Sequence, residues 1–306
     1  MSLLTLSFWS FFGIFIADAQ AFTYSASDVS LGMASHIHPD SFSSIRYQPA
    51  SLVLVPKYQV GMGIGMTVPN FTWGVGAGAV DSNQGPLTLG VFYDKSTQKN
   101  EDPQNLPGWK LPNQEISMME TNTTLGGATA ISFAQRKLSL GTSFIYLTST
   151  TPSQNIQTYE WNVSAAACLA EQFLMGIGIQ NLLPQNFDRK QSIIEGSFRW
   201  GPLNPLLLNN IRYGGSPFRS YGGFEVDVSA NTSLQLEHVG ISGDLRIDLV
   251  SIRGGATWIN RSENNLQYGF GIGIDAENST VEYALQIQPT IDATYQSHIL
   301  GLKLRL

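Results

Sequence analysis

The sequence predicts an all-β fold, an antiparallel transmembrane β-barrel of about fourteen strands, and three observations carry that prediction. First, apolar residues alternate with small or polar ones, again and again, from Tyr58 to Leu306. A period of two places one set of side chains on each face of a strand. Second, only 13% of the 306 residues are charged, while mean hydropathy is −0.02. A soluble globular domain carries about 25% charged residues. Such a chain has two large surfaces, one apolar and one polar but mostly uncharged. Third, the chain opens like an exported protein.

That opening reads "MSLLTLSFWSFFGIFIADAQAFT". An apolar stretch from Leu3 to Ala17 precedes Ala19-Gln20-Ala21, the small-x-small pattern of a signal-peptidase site. Residues 1–21 are therefore expected to be a signal peptide. The apolar run falls short of the roughly 20 residues a membrane helix needs. No Lys or Arg precedes it, which departs from the usual signal.

The barrel is expected over 57–306, and its elements follow in order. In "GMGIGMTVPNFTWGVGAGAV" (61–80), glycine occupies nearly every second position, twice. Met62, Ile64 and Met66 alternate with Gly61, Gly63 and Gly65, so this is a strand and not a phosphate-binding loop, which needs a helix after its single turn. The first two strands are expected at 57–66 and 71–80, and a third at 87–94. A long connection, 95–123, carries charges, prolines and Trp109, and parity puts it on the extracellular side. Strands then follow at 124–133, 137–147, 156–168, 172–181 and 190–200. The segment 201–218 is irregular and could hide a further strand. The remaining strands fall at 219–229, 232–241, 248–259, 264–275, 279–289 and 295–306.

Turn residues support the breaks: Asp81–Gly85, Ser242-Gly243-Asp244, Asn260–Asn265 and Ala276–Ser279. Apolar parity switches between Leu249 and Val250, which marks a bulge or a strand start. Strands of about ten residues with this alternation are the signature of an outer-membrane barrel. In lipid every backbone group must pair, so the sheet must close. Tryptophans 73, 109, 161, 200 and 258 are candidates for the membrane interfaces. The last strand ends Leu300, Leu302, Leu304 and Leu306, alternating with Gly301, Lys303 and Arg305; it is the expected signal for the barrel assembly machinery.

Several functions are disfavoured. A net charge of −6 without a basic cluster argues against nucleic acid. The one cysteine, Cys168, cannot form an internal disulfide. His36 and His38 could hold a metal only with two more convergent ligands, and His238 could pair with a strand serine, but no motif marks one. Inward-parity charges such as Glu160, Glu195, Arg199, Glu225, Asp227, Lys303 and Arg305 read as wall ion pairs. No catalytic residue, metal or cofactor is expected.

Residues 22–56 are not strand-like. "SDVSLGMAS" (27–35) and "PDSFSSIRYQPASLVLVP" (39–56) resemble the N-terminal region of the FadL-type outer-membrane fatty-acid and hydrocarbon transporters and their PorV-type relatives. Tyr47, Gln48, Pro49 and Ala50 stand where that family has Asn-Pro-Ala, with Gln48 departing from the usual Asn. "GIGIQNLL" (176–183) resembles a PorV-type strand. The resemblance implies that residues 22–56 form a plug in the lumen of a fourteen-stranded barrel in the bacterial outer membrane. It also implies passage of hydrophobic small molecules. The chain is shorter than a typical fatty-acid transporter and most of its loops are short, so a second role stays open: a non-transporting barrel serving a secretion or envelope partner. An apolar pocket near the extracellular mouth, lined by neighbours of Met62 or Phe71–Trp73, would favour the first.

Overall fold

A computed structural model of the chain describes Ala26, Val29, Ile37 and residues 41–54, 57–68, 72–83, 85–100, 118–151, 155–170, 172–182, 192–201, 220–231, 233–247, 249–260, 266–276, 279–289 and 294–305. The expected signal peptide, Phe71, Trp109, His36, His38 and Leu306 lie outside these residues.

Fourteen antiparallel strands close into one barrel. In chain order they are β1 (Tyr58–Val68), β2 (Thr72–Asp81), β3 (Leu87–Asn100), β4 (Met118–Phe133), β5 (Leu138–Thr150), β6 (Asn155–Ala170), β7 (Phe173–Gln180), β8 (Ile193–Trp200), β9 (Ser220–Asn231), β10 (Leu236–Ile247), β11 (Val250–Ile259), β12 (Leu266–Asp275), β13 (Ser279–Pro289) and β14 (Thr294–Arg305). Each pairs with its sequence neighbours, and β1 closes the ring on β14, with Gln59 opposite Arg305 and Val68 opposite Gln296. Closure removes every sheet edge, which is what a strand in hydrocarbon requires.

The alternation read from the sequence sorts the two faces. Met62, Ile64, Leu89, Val91, Leu140, Phe144, Ile177, Ile252, Phe270, Ile272 and Leu300 are exposed on the outside, Ile272 by 53%. Their neighbours in sequence, such as Gly61, Thr88, Gly90, Ser143, Gly178, Ser251 and Gly301, face inward. An outer surface this apolar is stable only against lipid. Trp73 and Tyr268 lie on it near the strand ends opposite the barrel termini, where amphipathic rings suit an interface. Trp200 and Tyr58 lie on it near the other end.

Two sequence expectations change. β3 and β4 run on to Asn100 and from Met118, so the connection is 101–117 and not 95–123. Apart from Met118 and Met119 their added residues are polar, and the two strands support each other by cross-pairing from Ser96–Asn122 to Asn100–Met118. Ser242-Gly243-Asp244 is no turn: it lies inside β10, paired with Glu225, Phe224 and Gly223 of β9. Its small polar residues suit an inner face as well as they suit a turn. β8 pairs directly with β9, Trp200 opposite Phe224, as the fourteen-strand count expects, and residues 202–219 between them lie outside the described residues. Val250 does begin β11, as the parity switch indicated.

Candidate functional site: the filled lumen

The lumen is not empty. Residues 41–54 form two short 3-10 turns, Ser43–Ile45 and Pro49–Val53, seated inside the barrel. Short turns satisfy much of their own backbone: Arg46 donates to the Ser43 carbonyl at 2.9 Å, Ser51 to that of Gln48 at 2.9 Å, and Leu54 to that of Ser51 at 3.2 Å. Pro49 suits the start of its turn because it has no N–H to satisfy.

The groups left over are met by the wall. Ser143 and Asn162 both donate to the Arg46 carbonyl at 2.9 Å. The Ala50 N–H donates to the Ser164 hydroxyl at 2.9 Å, and Ser139 donates to the Ala50 carbonyl at 2.7 Å. All four wall residues belong to the inner face of β5 and β6. Buried backbone groups must be paired, and this ladder of hydroxyls and one amide pairs them from outside the segment.

Side-chain packing explains the glycines. A Cβ at Gly61 or Gly78 would overlap the ring of Phe42, and one at Gly90 would press on Ile45 at 3.2 Å. A Cβ at Gly141 would run into the backbone of Pro49 and Ala50. Phe42, Ile45 and Leu52 make one buried cluster with Val80, Phe92, Ala128 and Ile145 of the wall. Ile37, Ala50 and Leu54 make a second with Ala166 and Leu174, and Ala26 and Val29 a third with Ala284 and Ile299. The inner wall of β1–β7 is thus a seat of small residues cut to this segment.

One ion pair locks it. Arg46 is 4% exposed, and its Nη2 meets the Glu160 carboxylate at 2.7 and 2.8 Å while its Nε donates at 3.1 Å. Its guanidinium also lies 5.1 Å from the ring centre of Tyr47. Two planar groups held by parallel hydrogen bonds form the strong kind of ion pair.

The expected motif Tyr47–Ala50 therefore sits in the lumen, with Pro49 and Ala50 on the β5–β6 ladder. Gln48 is fully buried, and among the described residues neither amide heavy atom has a hydrogen-bond partner. They face β7, where a Cβ at Gly176 would lie 3.1 Å from Oε1 and one at Gly178 3.1 Å from Nε2.

The wall of β8–β14 differs in chemistry. Its inward carboxylates are Glu195, Glu225, Asp227, Asp244, Asp275 and Glu282; its inward cations are Arg199, Arg246, Arg253, Lys303 and Arg305. Arg199 bridges Asp244 at 2.8 Å and Glu225 at 3.5 Å, while Arg253 and Lys303 share Glu282 at 2.7 and 3.3 Å. Arg246 faces Asp275 at 3.6 Å. Of the inward-facing charges expected to be wall ion pairs, Arg199, Glu225 and Lys303 are, and Glu160 is paired with the inserted segment instead.

His238 does meet a strand serine: Ser229 Oγ lies 2.6 Å from its Nδ1. Ser229 is 1% exposed, so no substrate reaches that hydroxyl and the bond is structural. Among the described residues, no three His, Cys, Asp or Glu side chains could hold a metal ion. Leu300 and Leu304 are exposed on the outer face of β14, and Leu302 shares that face. Met62 and Trp73 also face outward, so they line no lumen pocket. An open pocket of about 240 Å³ lies at the barrel end where β1 begins and β14 ends, between Gly85–Pro86 and Ser132–Arg136.

No family model and no curated protein matches the sequence. Solved structures match the fold. A Pseudomonas aeruginosa FadL homologue superposes with a TM-score of 0.57 at 10% identity, covering 92% of this chain and 98% of that one. The Acinetobacter baumannii outer membrane protein Omp33 superposes with a TM-score of 0.50 at 14% identity, covering 83% of this chain and 100% of that one. At these identities the likeness is one of fold. The chain is a β-barrel of the bacterial outer-membrane type, and its apolar outer band belongs in that bilayer.

Proposed function

We propose that the chain is a plugged outer-membrane conduit for small hydrophobic molecules of the fatty-acid or hydrocarbon class, with residues 22–56 as the plug and 1–21 as its export signal. The observation that carries this reading is residues 41–54 inside the barrel, held by Arg46–Glu160 and by the β5–β6 ladder. The family-like Tyr47–Ala50 motif and the fold shared with a FadL homologue support it. Leu300, Leu302, Leu304 and Leu306 would serve as the assembly signal.

A second reading is favoured by a specific observation. Toward the barrel end away from the termini, inward positions are polar: Glu120, Asn122, Thr124, Glu195, Ser229 and Gln267. A polar mouth suits a barrel that serves a secretion or envelope partner better than one that captures hydrocarbon.

Uptake of a labelled fatty acid or aromatic hydrocarbon separates the two. It would be measured in cells with the gene, without it, and with residues 27–50 deleted. The conduit reading expects the intact gene to raise uptake above both other strains. Equal uptake in all three removes it and promotes the partner-serving barrel.

A further inference from the structure

We infer that the barrel behind the inserted segment is a water-filled, cation-selective pore, and that Arg46 holds it shut. The inference rests on the filled lumen and not on any hydrophobic cargo.

The wall of β1–β7 presents three inward carboxylates, Asp94, Glu120 and Glu160, and no Lys or Arg among its described inward-facing strand residues. The cation bonded to Glu160 comes from the segment, as Arg46. The β8–β14 wall adds six inward carboxylates and five cations. Without the segment, the described inner wall therefore carries nine carboxylates against five cations. The β8–β14 charges largely neutralise each other in cross-strand pairs, so the excess lies on the β1–β7 side. Fixed charge of one sign in a channel with low-dielectric walls concentrates counter-ions and selects by sign.

The same wall is wettable. Ser139, Ser143, Asn162 and Ser164 now bond the segment's backbone. Once it leaves, those hydroxyls and that amide bond water with little loss. The inward glycines leave the bore wide where the segment was.

Arg46 sets the balance between the two states. With it, Glu160 is buried and paired. Without it, a buried carboxylate loses its partner, which strongly disfavours the closed state. Release lets Glu160 hydrate.

Planar-bilayer recordings in a KCl gradient test this with the intact chain, an Arg46→Ala variant and a chain lacking residues 41–54. Retention of the folded, faster-migrating form on unheated gels selects protein fit for recording. The intact chain should be nearly closed. Arg46→Ala should raise the open fraction by roughly a hundredfold to a few thousandfold, as an uncompensated buried charge does to an equilibrium. The reversal potential of both altered chains should lie on the cation side, and more so in dilute salt, where the screening length grows from about 8 Å at 0.15 M to about 30 Å at 0.01 M. Adding Glu160→Gln and Asp94→Asn to the open barrel should move it toward zero. An open pore that is unselective or prefers anions overturns the inference, as does an Arg46→Ala barrel as closed as the intact one.

Cys168 supplies a second readout. It faces inward on β6. In the opened Arg46→Ala barrel, a cationic methanethiosulfonate reagent should modify it faster than an anionic one. Equal rates, or faster anionic labelling, overturn the inference. Failed hydrocarbon uptake with cation-selective current would remove the conduit reading alone.

Discussion

Gln48 brings an amide into the lumen, and among the described residues nothing there bonds it. A buried amide without a partner costs about 1–3 kcal/mol, and replacing it with an apolar group of similar size removes that cost. Gln48→Leu is expected to seat the segment more firmly, by about 1 kcal/mol, read as slower proteolysis of residues 41–54 in the folded barrel. Faster proteolysis would show that the amide has a role in seating. Arg46→Ala works the other way, and should loosen the segment by about 3–5 kcal/mol while the barrel stays folded. On the outer face, Ile272→Arg should weaken folding into lipid vesicles by about 2–4 kcal/mol near the bilayer midplane. That position was legible in the sequence, because Ile272 alternates with Gly271 and Gly273. The partner of Arg46 was not: Glu160 lies 114 residues away, and no local pattern links them.

At the scale of elements, alternation located every strand, since a lipid-facing set of side chains needs a period of two whatever the loops do. Strand ends were harder to place. Ser96, Asn122 and Glu120 look like loop residues, yet they sit on strands whose pairing extends past the apolar band. Ser242 and Asp244 look like a turn for the same reason: both face the lumen, where small polar residues are welcome. The purpose of the inward glycines was hidden too, because it depends on what they face. Gly141 is the sharpest case, since the obstruction is backbone and cannot rotate away. Gly141→Val should displace Pro49–Ala50 and expose the segment to protease while leaving the heat-modifiable barrel intact. An unmoved segment would refute the seat. Deleting Lys303–Leu306 removes the end of β14 that pairs with β1 and β13 and should abolish membrane insertion. Normal insertion would show that these leucines are no assembly signal.

Across the whole molecule, the lumen divides by chemistry. One half, β1–β7, is small and receives the segment; the other, β8–β14, is a lattice of Arg–carboxylate and Lys–carboxylate pairs. The backbone N–H of Ile37 donates to Glu225 at 3.0 Å, so the chain before residue 41 touches the charged half as well. The most direct test of a lumen filled by the chain's own N-terminal region uses Ala26, which is fully buried against β14. Its Cβ lies 3.1 Å from where a Cβ at Gly301 would stand. Disulfides span about 3.5–4.5 Å between Cβ atoms, so a shift of a few tenths of an ångström suffices. With Cys168→Ser in the background, Ala26→Cys and Gly301→Cys would be combined and the outer-membrane fraction run unheated and without reductant. The predicted result is a disulfide within one chain, formed in the folded, heat-modifiable barrel. A folded barrel in which both thiols remain reduced under oxidant would contradict it.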